Sequence, residues 1–223
     1  MERFNIAVEI IEKAGKYLKD EINKCLKLKE MRYDVKLLQD KESEKIIVGG
    51  IKKYFPYDSF LCEEEGLDIR NKDNLWIIDP LDGSLNFSRG IPHFSISIGF
   101  NSKTEKFGIV YDFLKNEKFI GIEGKGAFLN GKKIKVSKTE KIEDAICAIG
   151  FIRGEKEIKI GLEILNDLVQ KVKRIRMMGS ACLDLCYLAC GRIDFTIHLS
   201  LNEWDYYAGE IILKEAGGSF EQI

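Results

Sequence analysis

Histidine is scarce in this chain, since its 223 residues include only His93 and His198. Histidine is a common ligand of catalytic and structural zinc, and it is the usual base of a Ser-His-Asp triad. Two histidines supply little material for either kind of site. His93 follows Pro92 in an IPHF turn and is predicted to be structural, so histidine chemistry is not the leading candidate for the function.

Long apolar runs are also absent, because no stretch approaches the roughly 20 residues that a membrane-spanning helix requires. The first residues, MERFNIAVEIIEKAG, mix acidic with apolar side chains and lack the apolar core of a secretion signal. The six cysteines show no paired spacing, which is typical of free thiols in a reducing compartment. These features predict a cytoplasmic protein that does not bind or span a membrane.

An excess of positive charge is missing as well, since 35 basic residues face 36 acidic ones and the formal net charge is −1. The basic residues are interleaved with acidic ones, which argues against a nucleic-acid polymer as partner. Residues 124–137 are rich in glycine but lack the Gly-Lys-Ser/Thr ending of a P-loop, so these glycines are predicted to serve turns. The cysteines at 182, 186 and 190 are four apart on a predicted helix, where small-residue packing is favoured over soft metal ligation.

What the chain does contain is an ordered alternation of helical and strand patterns. Residues 2–29 and 40–54 show a helical period, and 59–63 reads as a strand. The alternating runs at 95–100, 107–113 and 118–122 predict an antiparallel meander. The later pattern predicts strands at 145–149, 174–178 and 194–199, and helices at 157–172, 181–190 and 205–216. This order suggests stacked layers with sheets between helix pairs, in one unit with parts 1–140 and 141–223.

The stretch LWIIDPLDGSLNF, residues 75–87, carries the strongest chemical signal. An apolar run predicts a buried strand that ends at Asp79, and Pro80 holds Asp79 extended. Asp82 follows, and Gly83 and Ser84 are predicted to begin a short helix. Two neighbouring carboxylates repel unless cations lie between them, and oxygen ligands suit Mg²⁺. Exposed N–H groups at the helix start favour an anion, so the stretch predicts a metal site beside a phosphate site.

Three more acidic residues, Asp40, Glu63 and Asp205, fall at predicted junctions between elements. Ligands of open α/β sheets bind at such strand ends and helix starts. The alternative for each is a solvated charge or a helix cap, and Asp40 and Asp205 in particular have the position of N-caps. Spacing along the chain does not by itself bring the five acids together.

The segment WIIDPLDGSLNF resembles the DPxDG[ST] signature of the inositol monophosphatase family, a branch of the Mg²⁺-dependent, Li⁺-sensitive sugar phosphatases. Further segments resemble motifs of the same family in order and spacing: LLQDKESEK, SFLCEEEG, the meander GIVYDFLKNEKFIGIEGKGAFLNGKKIKVS, and the late motifs RMMGSACLDLCYLACGRIDF and EWDYYAGEIILKEAGG. The resemblance covers nearly the whole chain. It implies the family's fold, an α+β, layered αβαβα sandwich.

The resemblance also implies a metal site with two or three Mg²⁺ ions. Glu63, Asp79 and the backbone carbonyl of Leu81 would hold one ion. Asp79, Asp82 and Asp205 would hold a second. Asp40, together with Glu63, would lie near a third and weaker ion or its waters.

For the reaction, the resemblance implies that Gly83 and Ser84 bind phosphate through backbone N–H groups and that Ser84 Oγ orients the attacking water. Glu63, Ser84 and Asp40 would then be the catalytic residues. Substrate contacts would come from residues 194–205 and from a short segment at the start of a helix. That segment consists of Gly179, Ser180 and Ala181.

The implied activity is hydrolysis of a small polyol or sugar phosphate by metal-activated water, with inositol 1-phosphate and fructose 1,6-bisphosphate as first candidates. Related scaffolds also act on 3′(2′),5′-bisphosphate nucleotides, NADP and histidinol phosphate. The alternative to an enzyme is a catalytically weak regulatory protein that binds metal and phosphate. The resemblance further implies lithium inhibition and a homodimer.

Two departures from the family pattern affect these expectations. His198 stands where inositol-type members carry a glutamate seven residues before the late aspartate, and it either contacts substrate or merely ends a strand. Family chains also continue past EAGG, so the fold is expected to lack the last C-terminal strand and helix. The first departure bears on the substrate, and the second on the completeness of the core.

Overall fold

The computed structural model describes residues 1–30, 35–71, 73–150 and 154–222. Within these residues six α-helices are found: Glu2–Glu21 (α1), Leu38–Lys52 (α2), Ser84–Arg89 (α3), Glu155–Leu168 (α4), Ala181–Ala189 (α5) and Glu203–Glu215 (α6). The strands are Lys27–Glu30 (β1), Val35–Leu37 (β2), Ser59–Cys62 (β3), Gly66–Asp68 (β4), Asn74–Asp82 (β5), Ser95–Ser102 (β6), Lys106–Asp112 (β7), Glu117–Ile122 (β8), Gly126–Leu129 (β9), Lys132–Lys133 (β10), Ile146–Gly150 (β11), Arg174–Arg176 (β12) and Phe195–His198 (β13).

The largest sheet has eight strands in the order β10-β9-β8-β7-β6-β5-β3-β4. Every pair is antiparallel except β3 with β5, where Leu61 lies opposite Ile77. On the other side of β5, Ile77 faces Gly99 of β6. The predicted meander is confirmed as β6–β7–β8, and β5 lies inside the sheet, where it is buried on both faces.

Helices α1 and α2 cover one face of this sheet. Their apolar stripes, which include Ile10 and Ile11 of α1 and Ile47 of α2, pack against Trp76 and other inward side chains of the strands. On the opposite face, α5 and α6 pack against alternate strand residues such as Val110. The period-two alternation along the strands therefore supplies two separate cores, one on each face.

Two glycines allow α6 to lie directly on the sheet. A Cβ at Gly108 of β7 would be 2.2 Å from the carbonyl oxygen of Ala208, and one at Gly121 of β8 would be 2.6 Å from the Cα of Ile212. These distances are shorter than any ordinary contact, so only a residue without a side chain fits. The glycines in the meander thus serve a close helix–sheet approach.

A second sheet, β12-β11-β13, is small and parallel. Its core consists of Cys147 and Ile149 of β11 packed against Leu168, Ile164 and Leu165 of α4. Its other side faces α5. The layers are α1 and α2, the large sheet, α5 and α6, the small sheet, and α4, which confirms the expected layered αβαβα architecture.

No helix in the described ranges is long and apolar enough to cross a bilayer. The division into 1–140 and 141–223 stays a prediction.

The predicted helix over 2–29 is wrong beyond residue 21. Helix α1 ends at Glu21, and residues 27–30 form a strand whose side chains are exposed. The Gln39 side chain accepts a hydrogen bond from the Leu26 N–H and donates one to the Lys24 carbonyl, both at 3.1 Å. A residue of α2 therefore turns the chain here, a constraint that the helical period of the sequence does not contain.

The strand predicted to end at Asp79 continues to Asp82. After Asp79 pairs with Ser97, the register shifts, and pairing resumes between Asp82 and Ser95. Pro80 and Leu81 form the irregularity. It is expected at Pro80, because proline has no N–H to donate to the sheet. Asp79 and Asp82 consequently lie on either side of a β-bulge instead of in a loop.

We predict that Gly108→Ala lowers the free energy of unfolding by about 1–3 kcal/mol, because the added methyl group overlaps Ala208. Gly49→Ala is the control, because Gly49 is exposed on α2 and a Cβ there meets nothing within 4 Å. That control should be neutral or stabilising by up to ~1 kcal/mol. Urea unfolding followed by circular dichroism measures both, and equal stability of the two variants would contradict the close contact.

Candidate active site

A cavity of about 410 Å³ lies where β5, β13 and the first turns of α3, α5 and α6 meet. All of the predicted site residues except Asp40 line it: Glu63, Asp79, Leu81, Asp82, Gly83, Ser84, Gly179, Ser180, Ala181, His198 and Asp205. The fold therefore brings together acids that are up to 142 positions apart in the chain, as the difference 205 − 63 gives. Leu201, in the predicted substrate segment 194–205, also lines the cavity, and sequence reasoning missed the remaining lining residues, which are Leu85, Asn86, Gly150 and Ile158.

The β-bulge in β5 orients the first two acids. The Leu81 N–H donates a hydrogen bond of 2.9 Å to Asp79 Oδ1, which closes a tight local turn around Pro80. Asp79 and Asp82 are both buried. A regular strand would point residues three apart to opposite faces, whereas the bulge directs both of these carboxylates towards the cavity.

Asp82 is held by the start of α5. Its carboxylate accepts hydrogen bonds from Ser180 Oγ at 2.5 Å, from the Cys182 N–H at 2.8 Å and from the Ala181 N–H at 3.3 Å. Helix N-termini stabilise a carboxylate through such N–H groups. The interaction ties the large sheet to α5, so Ser180 and Ala181 act on the site through Asp82 as well as by lining the cavity.

Asp40 reaches the site indirectly. It lies in the first turn of α2, where Oδ2 accepts the Leu37 N–H at 2.7 Å, as a helix-capping residue does. Its other oxygen accepts a hydrogen bond of 2.9 Å from Ser84 Oγ. The Leu81 carbonyl oxygen is also 2.9 Å from Ser84 Oγ. Asp40 thus caps α2 and also accepts a hydrogen bond from the Ser84 hydroxyl. It is therefore more than a helix cap.

The last two acids, Glu63 and Asp205, lie on different elements. Asp205 is the third residue of α6, and its Oδ2 accepts the Asn202 N–H at 2.7 Å. Glu63 lies in the three-residue connection between β3 and β4, and its carboxyl group lies close to that of Asp79. Crowding of these acids therefore has an electrostatic cost that a proton or a cation must offset.

The pKa values reflect this cost. Burial first, and then the charges of Asp40 and Asp205, raise the pKa of Glu63 to about 8. Burial and the charges of Glu63, Asp82 and Asp205 raise the pKa of Asp79. Burial raises the pKa of Asp82 to about 6, although the Ser180 and Cys182 hydrogen bonds oppose the shift. The cluster favours added positive charge, which a divalent cation would provide.

The donor set suits a hard cation, because it consists of carboxylate oxygens and the Leu81 carbonyl oxygen. Across the described ranges, no three side chains of histidine, cysteine, aspartate or glutamate are close enough to hold an ion by themselves. Mg²⁺ commonly binds through one or two carboxylates and fills its shell with water and phosphate oxygens. The residues present therefore fit Mg²⁺ that shares its ligands with a bound phosphate.

His198 does more than end a strand. It is the last residue of β13, and its Nε2 is 3.2 Å from Oδ2 of Asp184. The second histidine, His93, has its Nε2 3.4 Å from the other Asp184 oxygen. Asp184 is fully buried in α5, so both histidines of the chain face one buried carboxylate, and only His198 also lines the cavity. The prediction that His93 is structural agrees with this placement.

The cysteines of α5 belong to the core. Cys182 and Cys186 are buried and pack between α5, α6 and the large sheet. Burial raises the pKa of both thiols well above the ordinary value, which disfavours the thiolate form that binds metals. The packing interpretation of this stripe is confirmed.

Comparison with known proteins identifies the class. The whole chain, residues 1–223, matches the inositol monophosphatase family. The Thermotoga maritima protein named fructose-1,6-bisphosphatase/inositol-1-monophosphatase is 35% identical over 225 residues, 98% of this chain and 84% of that protein. A Pasteurella multocida protein named Nus factor SuhB is 36% identical over 223 residues, 96% of this chain and 82% of that protein.

The fold agrees with this relationship. The crystal structure of the extragenic suppressor protein suhB from Bartonella henselae matches with a TM-score of 0.91 at 33% identity, covering 97% of this chain and 86% of that one. The chain belongs to the inositol monophosphatase family. It is a phosphatase, an enzyme that hydrolyses phosphate monoesters.

We predict that the metal-free protein loses stability as the pH rises from about 5 to 8. The pKa of Glu63 is raised from 4.5 to about 8 in the folded state. A raised pKa stabilises the fold fully below the unfolded value and no longer does so once the pH passes the folded value. Thermal unfolding in chelator at pH 5, 6, 7 and 8 should show a falling Tm.

Glu63→Gln isolates the contribution of Glu63, because the amide cannot ionise. The fall in Tm between pH 5 and 8 should be smaller in this variant than in the wild type. Parallel curves for the two proteins would show that Glu63 does not carry the effect.

Proposed function

We propose that the protein is a Mg²⁺-dependent phosphomonoesterase of a small polyol or sugar phosphate. The observation that carries the proposal is the convergence of Glu63, Asp79, Asp82 and Asp205 on one cavity, beside the turn that begins α3. Four acids around one cavity repel one another, and cation binding offsets the repulsion between them. When bound, Mg²⁺ would neutralise phosphate charge, lower the pKa of a bound water and stabilise the leaving oxygen.

Each acid has a place in this scheme. Glu63, Asp79 and the Leu81 carbonyl would hold one ion. Asp79, Asp82 and Asp205 would hold a second, which would draw these three side chains together because they are not grouped closely enough without it. Asp40 would lie near a third, weaker ion. Burial of Asp79 and Asp82 and the hydrogen bonds to Asp82 keep their oxygens in place, which a metal site requires.

The phosphate group would bind at the start of α3. Gly83 has φ 90°, a conformation that favours glycine, and a Cβ there would be 3.0 Å from the His93 carbonyl oxygen. The N–H groups of Gly83 and Ser84 would donate to phosphate oxygens. If Ser84 Oγ donates its hydrogen to Asp40, its lone pairs can accept a hydrogen bond from the attacking water, which orients that water towards phosphorus. Glu63 would complete the catalytic set.

The leaving group would contact the opposite wall, which includes Gly179, Ser180, Ala181 and His198. Inositol 1-phosphate and fructose 1,6-bisphosphate are the substrates to test first, because the Thermotoga maritima relative is named for both activities. A 3′(2′),5′-bisphosphate nucleotide is the next candidate. A cytoplasmic location stays a prediction from the sequence, and lithium inhibition and a homodimer stay predictions from the family resemblance.

A weakly catalytic regulatory protein is the second candidate. The observation that favours it is that relatives 36–39% identical to this chain are named Nus factor SuhB. A phosphate-release assay with and without Mg²⁺, on a panel of inositol, sugar and nucleotide phosphates, separates the two. Mg²⁺-dependent release with one preferred ester supports the enzyme, and background release with every ester favours the regulatory function.

We predict that Asp79→Asn and Asp82→Asn each lower kcat about a thousandfold or more, because the loss of a charged ligand removes several kcal/mol of transition-state stabilisation. Circular dichroism should show the native fold in both variants. Asp167→Asn, at an exposed position on α4 where Asp167 pairs with Lys171, is the matched control and should retain wild-type turnover. Wild-type turnover in either site variant would place the metal elsewhere.

We predict that His198→Gln changes the ratio of kcat/KM for inositol 1-phosphate over fructose 1,6-bisphosphate by about tenfold, the effect of one hydrogen bond to substrate. His93→Gln is the matched control, because it alters the same Asp184 contact from outside the cavity. The control should change stability and leave the ratio unaltered. An equal change in both variants would mean that the effect passes through Asp184 and not through a substrate contact.

A further inference from the structure

Helix α2 carries a buried polar stripe that continues its apolar one. Ile47, Val48 and Ile51 lie on the face that packs into the core. The same face, one to two turns towards the N-terminus, carries Asp40, Ser43 and Glu44, spaced by three and four residues. All three are buried, with Ser43 0% and Glu44 1% exposed. Burial of polar groups costs free energy unless they are hydrogen-bonded, so this break in the apolar pattern needs a specific cause.

The cause is visible in what the two additional residues contact. Ser43 Oγ donates a hydrogen bond of 2.9 Å to the carbonyl oxygen of Pro80, inside the β-bulge between Asp79 and Asp82. Glu44 accepts two hydrogen bonds of 2.9 Å, one from the Glu64 N–H to Oε2 and one from the Glu65 N–H to Oε1. Both partners are backbone groups of segments that carry the acids of the active site.

The Glu44 contact is unusual in its electrostatics. Residues 63–65 are three consecutive glutamates in the turn between β3 and β4, and Glu44 adds a fourth carboxyl group nearby. Lys36 pairs with Glu64 at 2.8 Å. A neutral acceptor would avoid the added repulsion, but a carboxylate has two oxygens, which can accept from two successive N–H groups at once. The geometry of the turn therefore outweighs the repulsion.

We propose that Glu44 is a positioning residue of the phosphatase: its carboxylate fixes the backbone that follows Glu63 and thereby sets the direction in which the Glu63 carboxyl group meets Asp79 and a bound Mg²⁺. Ser43 performs the corresponding task for the bulge that presents the Leu81 carbonyl. This inference rests on the proposed function, because it takes Glu63 as a metal ligand. Groups that orient metal ligands commonly change metal affinity 10- to 100-fold when altered.

Glu44→Gln is the test. The amide has nearly the shape of the carboxyl group, but one of its ends donates instead of accepting, so one of the two backbone N–H groups loses its partner. Hydrogen exchange at the Glu64 and Glu65 amides, measured in chelator, should accelerate, whereas exchange in α1 should not. Calorimetry should show Mg²⁺ binding weakened about tenfold, and excess Mg²⁺ should restore much of kcat with little change in substrate KM.

Val48→Ala is the matched control, because it removes buried side-chain atoms from the same helix and the Val48 side chain has no polar group that could bind the backbone of residues 63–65. It should lower Tm and leave Mg²⁺ affinity at the wild-type value. If Glu44→Gln also lowers Tm only, or leaves the Glu64 and Glu65 amides as protected as in the wild type, the positioning role is overturned.

Ser43→Ala is a second variant that keeps the test decisive if Glu44→Gln does not fold. It removes one hydrogen bond to Pro80 without adding an unmatched donor, and it should weaken Mg²⁺ binding severalfold. Unaltered Mg²⁺ affinity in a folded Ser43→Ala protein would overturn the role of the stripe. If the wild-type protein binds no Mg²⁺, the proposed function fails together with this inference, which distinguishes that result from failure of the positioning role alone.

Discussion

Repulsion among carboxylates crowded around one cavity is the constraint on which the active site depends. Glu63, Asp79, Asp82 and Asp205 surround one cavity, and the charges of its neighbours help to raise the pKa of Glu63 to about 8. Such a cluster raises the pKa of its members and is costly to the metal-free fold. The same negative charge becomes favourable when a divalent cation occupies the cavity together with a phosphate group, because the carboxylates attract the cation. The cost in stability and the capacity for phosphoryl chemistry therefore have one origin.

Three helices make this arrangement tolerable. The first turn of α5 donates hydrogen bonds to Asp82, and Asp40 and Asp205 lie in the first turns of α2 and α6, where each accepts a backbone N–H. The partial positive charge at these N-termini stabilises nearby carboxylates. Because α2 lies on one face of the large sheet and α5 and α6 lie on the other, the layered fold supplies helix N-termini from both sides of β5.

Agreement between sequence and structure is best where local physics decides. The apolar run before Asp79, the alternation of the meander and the helical period of α2 each specify an element through contacts within a few residues. Disagreement appears where a distant residue decides. The Gln39 side chain holds the segment after α1 in a turn near Leu26. Pairing of Asp82 with Ser95 extends β5 past Pro80. Neither partner is visible in the local pattern of the segment that it alters.

The sequence by itself determined the chemical inventory of the protein: carboxylates at strand and helix ends, an anion-binding turn, too few histidines for other metal chemistry, and motifs in the order of one phosphatase family. Tertiary structure alone decided which groups meet. It brought Asp40 into hydrogen-bonding contact with Ser84 and Asp82 into contact with the start of α5. It also placed both histidines beside the buried Asp184 and the polar stripe of α2 beside the turn after Glu63. The physical reason is that hydrogen bonds and charge interactions act over a few ångströms in space, whatever the separation of the residues along the chain.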